Sequence, residues 1–168
     1  KPVIMHNDSQ INVDFKENGN YIIVTDFDQN DITFNVLDNV SVNVVLFSKI
    51  KSNVNLNVTI NENANLKINV ISMNNSTTDV YNFNLVKEYA TLEMNVLSLA
   101  KEAKKEFIYN VNHLAPETKS SVSNYGISFD NGKNHFKVNG IIKQNMKNSD
   151  VRQITKGLIL SPTGECLA

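Results

Sequence analysis

The sequence predicts an all-β protein built as a β-solenoid, and three observations favour that fold. Apolar and polar residues alternate along much of the 168-residue chain, turns rich in asparagine and aspartate separate the alternating segments, and the segment that begins at Ala64 returns in similar form at Ala90. Alternation with period two gives a strand one apolar and one polar face. A repeat of about 20–50 residues is typical of coils that stack on one another.

Nine segments predict half-buried strands because their apolar residues recur at every second position or form short runs. In residues 54–60, for example, four aliphatic side chains alternate with asparagine and threonine. In chain order the segments are 11–15, 21–24, 32–36, 40–46, 54–60, 64–70, 80–85, 90–96 and 107–111.

The internal repeat joins two of these strands. Residues 64–70 are Ala-Asn-Leu-Lys-Ile-Asn-Val, and residues 90–96 are Ala-Thr-Leu-Glu-Met-Asn-Val. A sandwich of two sheets would show the same alternation, so a sandwich used only for interactions stays an alternative. The scarcity of glycine and proline, with 6 and 3 residues, and the regular succession of strands favour the solenoid.

The turns are predicted where asparagine, aspartate and glycine cluster. They fall at residues 17–20, 26–31, 61–63, 74–78 and 130–133. Asn131-Gly132 favours a left-handed backbone, and it stands between two apolar segments, 127–129 and 136–138, so it predicts a β-hairpin there. Residues 99–106 have a helix-forming composition but are too few for a stable helix, which predicts a turn between strands.

Composition excludes several classes of partner. The formal net charge is -1, which gives no basic surface for nucleic acid. No apolar run is long enough to span a bilayer, and the first residues lack the order of a signal peptide. Cys166 is the single cysteine and favours a reducing compartment, so we expect a cytoplasmic location. We expect residues 1–168 to form a single domain, and truncation at both ends is compatible with a chain that begins at Lys1.

No catalytic motif is present in the sequence. The histidines, His6, His113 and His135, lack the short spacing of a metal site and are interpreted as surface or turn residues. Residues 26–31 begin like a calcium loop, but Asp31 and Leu37 stand where such a loop needs glycine and glutamate. Phosphate-binding glycine loops and a nucleophile elbow are absent as well.

Glutamates give only weak candidates for glycoside chemistry, which needs two carboxyl groups a few ångströms apart. The candidates are Glu93, Glu102, Glu106 and Glu117. Because tryptophan is absent, the usual stacking platform for sugars is missing.

The C-terminal third resembles the core of the SufB/SufD family. The resemblance is carried by residues 112–128, 136–142 and 149–160. In order, these segments contain a histidine among small polar residues, a strand that ends near glycine, a Phe-to-Gly-Ile segment, an Asp-x-x-Gln step and a leucine-rich strand. The remaining two thirds resemble the family only in their general strand pattern, without specific motifs.

This resemblance implies a right-handed β-helix core that pairs with a SufB/SufD-type sister subunit, in a complex with a SufC-type ATPase that builds iron–sulfur clusters. The chain would then be a scaffold and not an enzyme, with the SufD-like subunit preferred. No cofactor would be bound firmly by this chain, although an iron–sulfur cluster could form in the full complex. We also expect an exposed solenoid edge that permits homo-association.

One site residue follows from the resemblance. Cys166 lies shortly after the leucine-rich strand, in the place of a cysteine found in SufB-like members, and a thiolate there could bind iron or pass sulfur. The surrounding Gly-Glu-Cys-Leu-Ala departs from the SufB-like Cys-Gly-Ala-His. A buried structural cysteine is therefore the alternative reading.

A rival function from another class is a secreted β-solenoid that binds carbohydrate or processes polysaccharide. It would explain the strands and the asparagine-rich turns. It would require carboxylates or basic groups clustered on one face of the solenoid.

Overall fold

The chain winds into a solenoid whose strands alternate between two parallel sheets, as seen in the computed structural model. The structure describes residues 3–5, 9–49, 52–73 and 76–168. Within them, no helix is long and apolar enough to cross a membrane. The strands are β1 (Val3–Met5), β2 (Gln10–Phe15), β3 (Gly19–Thr25), β4 (Gln29–Val36), β5 (Ser41–Ser48), β6 (Asn53–Ile60), β7 (Asn65–Ser72), β8 (Thr77–Leu85), β9 (Thr91–Lys101), β10 (Lys104–His113), β11 (Lys119–Phe129), β12 (Lys133–Ile142), β13 (Asp150–Ile159) and β14 (Glu165–Leu167).

Each strand pairs with the strand two positions along the chain, and all pairs are parallel. The odd-numbered strands form one sheet, called sheet A here, and the even-numbered strands form sheet B. Two sheets face each other, as in a sandwich, but parallel pairing between every second strand is the pattern of a coil and confirms the predicted solenoid.

The predicted repeat marks two coils in direct contact. Leu66 lies beside Leu92, and Val70 lies beside Val96. The members of each pair hold the same place in the two similar segments, so the repeat length equals one coil. All nine predicted strands are present, although β5, β7 and β9 begin one residue later than the segments 40–46, 64–70 and 90–96.

The core is filled by the apolar residues of the alternating pattern. Phe34, Val58 and Phe83 are neighbours in register on three coils of sheet B, and each is at most 1% exposed. Opposite them, sheet A contributes its own aliphatic columns to the same continuous cluster. Burying each large apolar side chain contributes about 1.5–3 kcal/mol, so shared columns hold successive coils together.

Asparagine ladders run along the outer face of sheet B and explain part of the asparagine content. Asn82 Nδ2 donates to Asn57 Oδ1 at 3.0 Å, Asn110 Nδ2 to Asn82 Oδ1 at 2.8 Å, and Asn139 Nδ2 to Asn110 Oδ1 at 2.9 Å. Stacked amides of this kind require identical side chains at one position of successive parallel strands. The polar face of the alternation is therefore structural as well as solvent-exposed.

The corners that lead from sheet B to sheet A use a left-handed residue at the same place in successive coils. Asn39 has φ 63, Asn63 has φ 50, Tyr89 has φ 61 and Glu117 has φ 58. Asparagine tolerates this conformation better than most residues, whereas tyrosine and glutamate adopt it at some cost in free energy. The asparagine-rich turn at 61–63 is thus confirmed as a corner.

The predicted hairpin at Asn131-Gly132 is wrong. The flanking strands, β11 and β12, lie in different sheets and pair with other strands in parallel. Asn131 does have the expected left-handed backbone, with φ 63, but the turn carries the chain around a corner between the sheets. Local turn chemistry fixes a change of direction and does not fix which strands then pair.

Two other predicted turns are shorter than expected. In residues 99–106 the turn is confined to Glu102 and Ala103, because β9 runs through Lys101 and β10 begins at Lys104. In residues 26–31 the strand β4 already begins at Gln29. For the turn predicted at 74–78, residues 74 and 75 lie outside the described residues.

Candidate functional site: the open end of the solenoid

The last coils of the solenoid leave two strand edges without a neighbouring strand in the described residues. β13 pairs with β11 on one side only, and β14 covers only three residues of β12. Asp150 N–H donates to Thr118 O, and Leu160 N–H donates to Ser128 O. Both donors are even-numbered residues. Because backbone groups alternate in direction along a strand, the odd-numbered residues of β13 point their amides and carbonyls away from β11. We call this end, formed by β13 and residues 136–142 of β12, the mouth.

Side chains that belong to the interior pattern are exposed at the mouth. Ile142 continues the column of His113, and Ile159 continues the column of Ser128. His113 and Ser128 are fully buried, but Ile142 is 43% and Ile159 is 51% exposed. The other exposed large apolar residues at this end are Ile141, Ile154, Leu158, Leu160 and Leu167. An apolar end with unpaired backbone groups is the kind of surface that adds another strand.

Cys166 lies at the mouth with its side chain turned inward. In β14 it is the register partner of Asn134, which is fully buried. A Cβ atom on Gly157 would lie 2.7 Å from Cys166 Sγ, and one on Gly126 would lie 3.0 Å from it. Glycine in a strand often marks such a close approach. The two glycines therefore create the space that the thiol occupies.

The environment of Cys166 favours a packed thiol over a reactive thiolate. Burial raises the pKa of Cys166, and the thiolate is the form that attacks electrophiles and binds metal. Within the described part of the chain, no group of three or more His, Cys, Asp or Glu side chains is placed to hold a metal ion. The role in binding iron or passing sulfur stays a prediction, and it would need further ligands from outside these residues.

We expect the Cys166 thiol to react slowly with a disulfide reagent such as 5,5′-dithiobis(2-nitrobenzoate) in the native protein, and at least about tenfold faster after unfolding in urea. Gly157→Ala should accelerate the native reaction, because its methyl group would displace the thiol from its space. Gly140→Ala, which alters another glycine of the mouth, is the matched control. Equal native rates for all three proteins would contradict this placement of the thiol.

The interpretation of His113 as a surface or turn residue is wrong. It is fully buried in β10, with Nδ1 2.7 Å from Thr118 Oγ1 and Nε2 2.8 Å from Ser120 Oγ. The Thr118 hydroxyl donates to Ala115 O at 2.9 Å, so its oxygen accepts a hydrogen bond from His113 Nδ1–H. Burial lowers the pKa of His113, and the neutral ring stabilises the corner between β10 and β11.

The two other histidines are placed differently. His135 lies on the outer face of β12, with Nε2 2.6 Å from Glu165 Oε1, which confirms its surface position. His6 lies outside the described residues. The structure therefore brings neither His113 nor His135 together with Cys166 in a metal-binding group.

The four glutamates named as glycoside candidates are not paired with one another. Glu93 is on the outer face of sheet A beside Lys67, and Glu106 is on the outer face of sheet B beside Lys104. Glu102 and Glu117 lie in separate turns. The carboxylate cluster that polysaccharide chemistry requires is absent among these four residues.

The interior contains two ionisable residues that the sequence analysis missed. Asp79 in β8 and Lys105 in β10 are at most 1% exposed. Burial raises the pKa of Asp79 to about 6 and lowers the pKa of Lys105 to about 8, against an attraction to Asp79. Both residues occupy the apolar phase of the alternation, as Thr77-x-Asp79-x-Tyr81 shows. Extending the period-two pattern two residues back, from Tyr81 to Asp79 and from Phe107 to Lys105, would have placed both ionisable side chains inside.

Comparison with known proteins gives one family match. Residues 4–168 match the family model described as SUF system FeS cluster assembly, SufBD core domain. No curated protein and no solved structure matches the chain. The match covers nearly all of the sequence, including the N-terminal part that resembled the family only in style.

Proposed function

Because the chain belongs to the SufBD core domain family of SUF system iron–sulfur cluster assembly, we propose that it is a scaffold subunit of a SufBCD-type complex. Its β-helix would pair with a sister subunit of SufB/SufD type. The family model describes SufB and SufD alike, and we propose the SufD-like subunit because the residues after Cys166 depart from the SufB-like sequence.

The family match is the observation that carries this proposal, and the mouth agrees with it. Its odd-numbered β13 backbone groups have no strand partner in the described residues, and interior residues such as Ile142 are exposed beside them. Strands added here, by a sister subunit or by further chain of the same protein, would satisfy the backbone groups and cover the apolar end at once. Two copies of this chain could pair in the same way, so homo-association is the competing use of the mouth.

The ATP-dependent step belongs to a separate subunit in this proposal. The sequence has no Gly-x-x-x-x-Gly-Lys-Ser/Thr loop, which is the usual cradle for nucleotide phosphates. A SufC-type ATPase would therefore supply hydrolysis. The iron–sulfur cluster would be cargo of the assembled complex, with Cys166 as the only cysteine that this chain can offer.

The carbohydrate alternative receives no support. The family match points to cluster assembly, and Glu93 and Glu106 lie on opposite sheets. A scaffold role agrees better with an apolar open end than with a polar saccharide groove.

Co-expression tests the proposal directly. The chain, carrying an affinity tag, is produced with a SufB/SufD-type sister subunit and a SufC-type ATPase from the same source. We expect all three to be recovered together in wild type. The double variant Gln153→Lys/Thr155→Lys places two charges on the mouth and should reduce recovery of the sister subunit by at least about tenfold, since charges on an edge oppose strand addition.

The control adds the same charges away from the mouth, on the outer face of β2, as Gln10→Lys/Asn12→Lys. This control should recover the sister subunit at the wild-type level. Thermal melting of each purified variant shows whether its fold is intact. Undiminished recovery with the folded mouth variant, or recovery of the chain alone in wild type, would overturn the proposal.

A further inference from the structure

An apolar stripe runs along the outer face of sheet A. It is formed by residues of β7, β9, β11 and β13 whose side chains point away from the core: Ile71, Leu97, Leu99, Tyr125, Ile127 and Leu158. Leu97 is 46%, Tyr125 is 41% and Leu158 is 53% exposed. The six residues are neighbours in register on adjacent strands, so they form one continuous surface, which we call the outer stripe.

The outer face of sheet B has a different character. Its middle is filled by the asparagine ladder from Asn57 to Asn139, and the outward residues Val80 and Ile108 lie beside that ladder, half-buried. Parallel sheets that carry apolar residues on both faces are usually covered on both sides. The outer stripe therefore gives sheet A a face that fits a covering partner.

The rest of the outer face of sheet A is polar and positively charged. Beside the outer stripe, Asn95 Nδ2 donates to Asn69 Oδ1 at 3.1 Å. Lys101 pairs with Asp130 at the corner. The other outward charged side chains of these strands are four cations and two carboxylates: Lys67, Lys119, Arg152, Lys156, Glu93 and Asp150. This face is therefore net positive, although the whole chain has a net charge of -1.

The two carboxylates on this face are already neutralised by ion pairs, with N–O distances of 2.9 Å to Lys67 and to Arg152. Lys119 and Lys156 have no ion-pair partner in the described part of the chain. Lys156 is the register neighbour of Tyr125, so its ammonium group borders the outer stripe. A partner that covers the stripe is therefore expected to be acidic.

The dimensions of the outer stripe fit one α-helix. Leu97 and Leu99 are successive outward residues of one strand, which places the two rows of the stripe about 7 Å apart. Four strands at a spacing of about 4.8 Å give the stripe a length of about 20 Å with its side chains. A helix is about 10 Å across and rises 1.5 Å per residue, so about 13 residues would cover the stripe.

A second copy of this chain fits the outer stripe less well. The stripe covers on the order of 300 Å², which is far below the roughly 800 Å² that each partner buries in a standard interface. Two copies would also bring two net positive faces together. The elements of the described residues are all strands, so they supply no helix that covers the stripe.

We propose that the outer stripe binds an acidic amphipathic α-helix of a separate protein. Apolar residues of the helix, spaced i, i+3, i+4 and i+7, would pack on Leu97 and Tyr125, and an adjacent carboxylate would pair with Lys156. The helix lies on the face of sheet A and leaves the strand edge of β13 free. This partner site is therefore additional to the proposed pairing at the mouth and does not depend on it.

Two synthetic peptides of about 14 residues test the inference by fluorescence anisotropy. Both carry leucine at helical spacing, and the flanking residues are glutamate in one peptide and lysine in the other. We expect the acidic peptide to bind the wild-type chain at least about tenfold more tightly than the basic peptide at low salt. The difference should shrink in about 0.5 M sodium chloride, which screens exposed charges.

The matched variants place the binding on the outer stripe. Leu97→Gln/Tyr125→Gln should weaken binding of the acidic peptide at least about tenfold. Val80→Gln/Ile108→Gln makes the same kind of change at two register neighbours on the outer face of sheet B and should leave binding unchanged. All four positions lie outside the mouth, and thermal melting shows whether each variant is folded.

Several results would overturn the inference. They are no binding of the acidic peptide up to about 1 mM, equal binding of the two peptides, and equal loss in the two folded variants. Sedimentation velocity and co-sedimentation with phosphatidylcholine–phosphatidylserine vesicles test the competing occupants. A dimer or a vesicle complex that Leu97→Gln/Tyr125→Gln abolishes would assign the stripe to a second copy or to a membrane instead.

Discussion

Gly132→Ala is expected to destabilise the protein by more than about 3 kcal/mol, or to prevent folding. A Cβ atom on Gly132 would lie 1.9 Å from Ala100 O, 2.5 Å from Ala100 C and 2.8 Å from Phe129 O. All three atoms belong to backbone, and their strands, β9 and β11, are held by ladders of hydrogen bonds. No side-chain rotation can relieve this contact. Urea denaturation followed by circular dichroism measures the loss.

Gly140→Ala is the control for the effect of replacing a glycine. Its Cβ would meet only side-chain atoms of Val151, at 2.9 Å and beyond, and Val151 lies at the open mouth, where it can rotate. We expect a loss below about 1 kcal/mol. Similar losses for Gly132→Ala and Gly140→Ala would show that the corner backbone yields more easily than its geometry indicates.

Asp79→Asn is expected to stabilise the protein at alkaline pH and to have little effect at acid pH. The pKa of Asp79 is raised from 3.8 to about 6 in the folded state. The stability that belongs to the protonated carboxyl is fully present below pH 3.8 and is lost as the pH rises through about 6. A shift of this size corresponds to about 3 kcal/mol. Asparagine avoids that loss and can still accept the hydrogen bond from Val54 N–H.

Lys105 determines the pH at which the gain is largest. Its pKa is lowered to about 8, so between about pH 6 and 8 its positive charge attracts the ionised Asp79. This attraction stabilises the wild type and offsets part of the stability gained in Asp79→Asn. Chemical denaturation of wild type and Asp79→Asn at pH 4, 7 and 9 measures the difference. Asp28→Asn, at an exposed position, is the control. A difference that does not grow from pH 4 to pH 9 would contradict a buried, ionised Asp79.

The sequence was sufficient to predict nine of the fourteen strands in the described residues and the coil repeat. Period-two alternation follows from strand geometry, and the repeat at residues 64–70 and 90–96 follows from stacking, so both leave a direct trace in the residues. The hairpin at Asn131-Gly132 failed because the same turn serves a hairpin and a corner. Only the pairing of β11 with β9 and β13 decides between them, and pairing depends on residues distant in sequence.

The candidate site was predicted only in part. Cys166 could be named only through the resemblance to SufB-like members, and the space that Gly126 and Gly157 provide arises from three strands that meet in the fold. Asp79 and Lys105 were overlooked for a different reason. Charged residues are usually interpreted as solvent-exposed, and only their phase in the alternation shows that these two point inward.

The coils lengthen along the chain, which gives the solenoid a taper. One turn of an early coil brings Tyr21 beside Val44, whereas the last turn of sheet A uses a longer stretch of chain to bring Ser123 beside Ile154. The later coils are therefore wider than the early ones, as β2 with 6 residues and β12 with 10 residues show. An early coil and a late coil are not interchangeable, because a narrow coil placed on a wide one would leave part of the apolar interior of its neighbour uncovered.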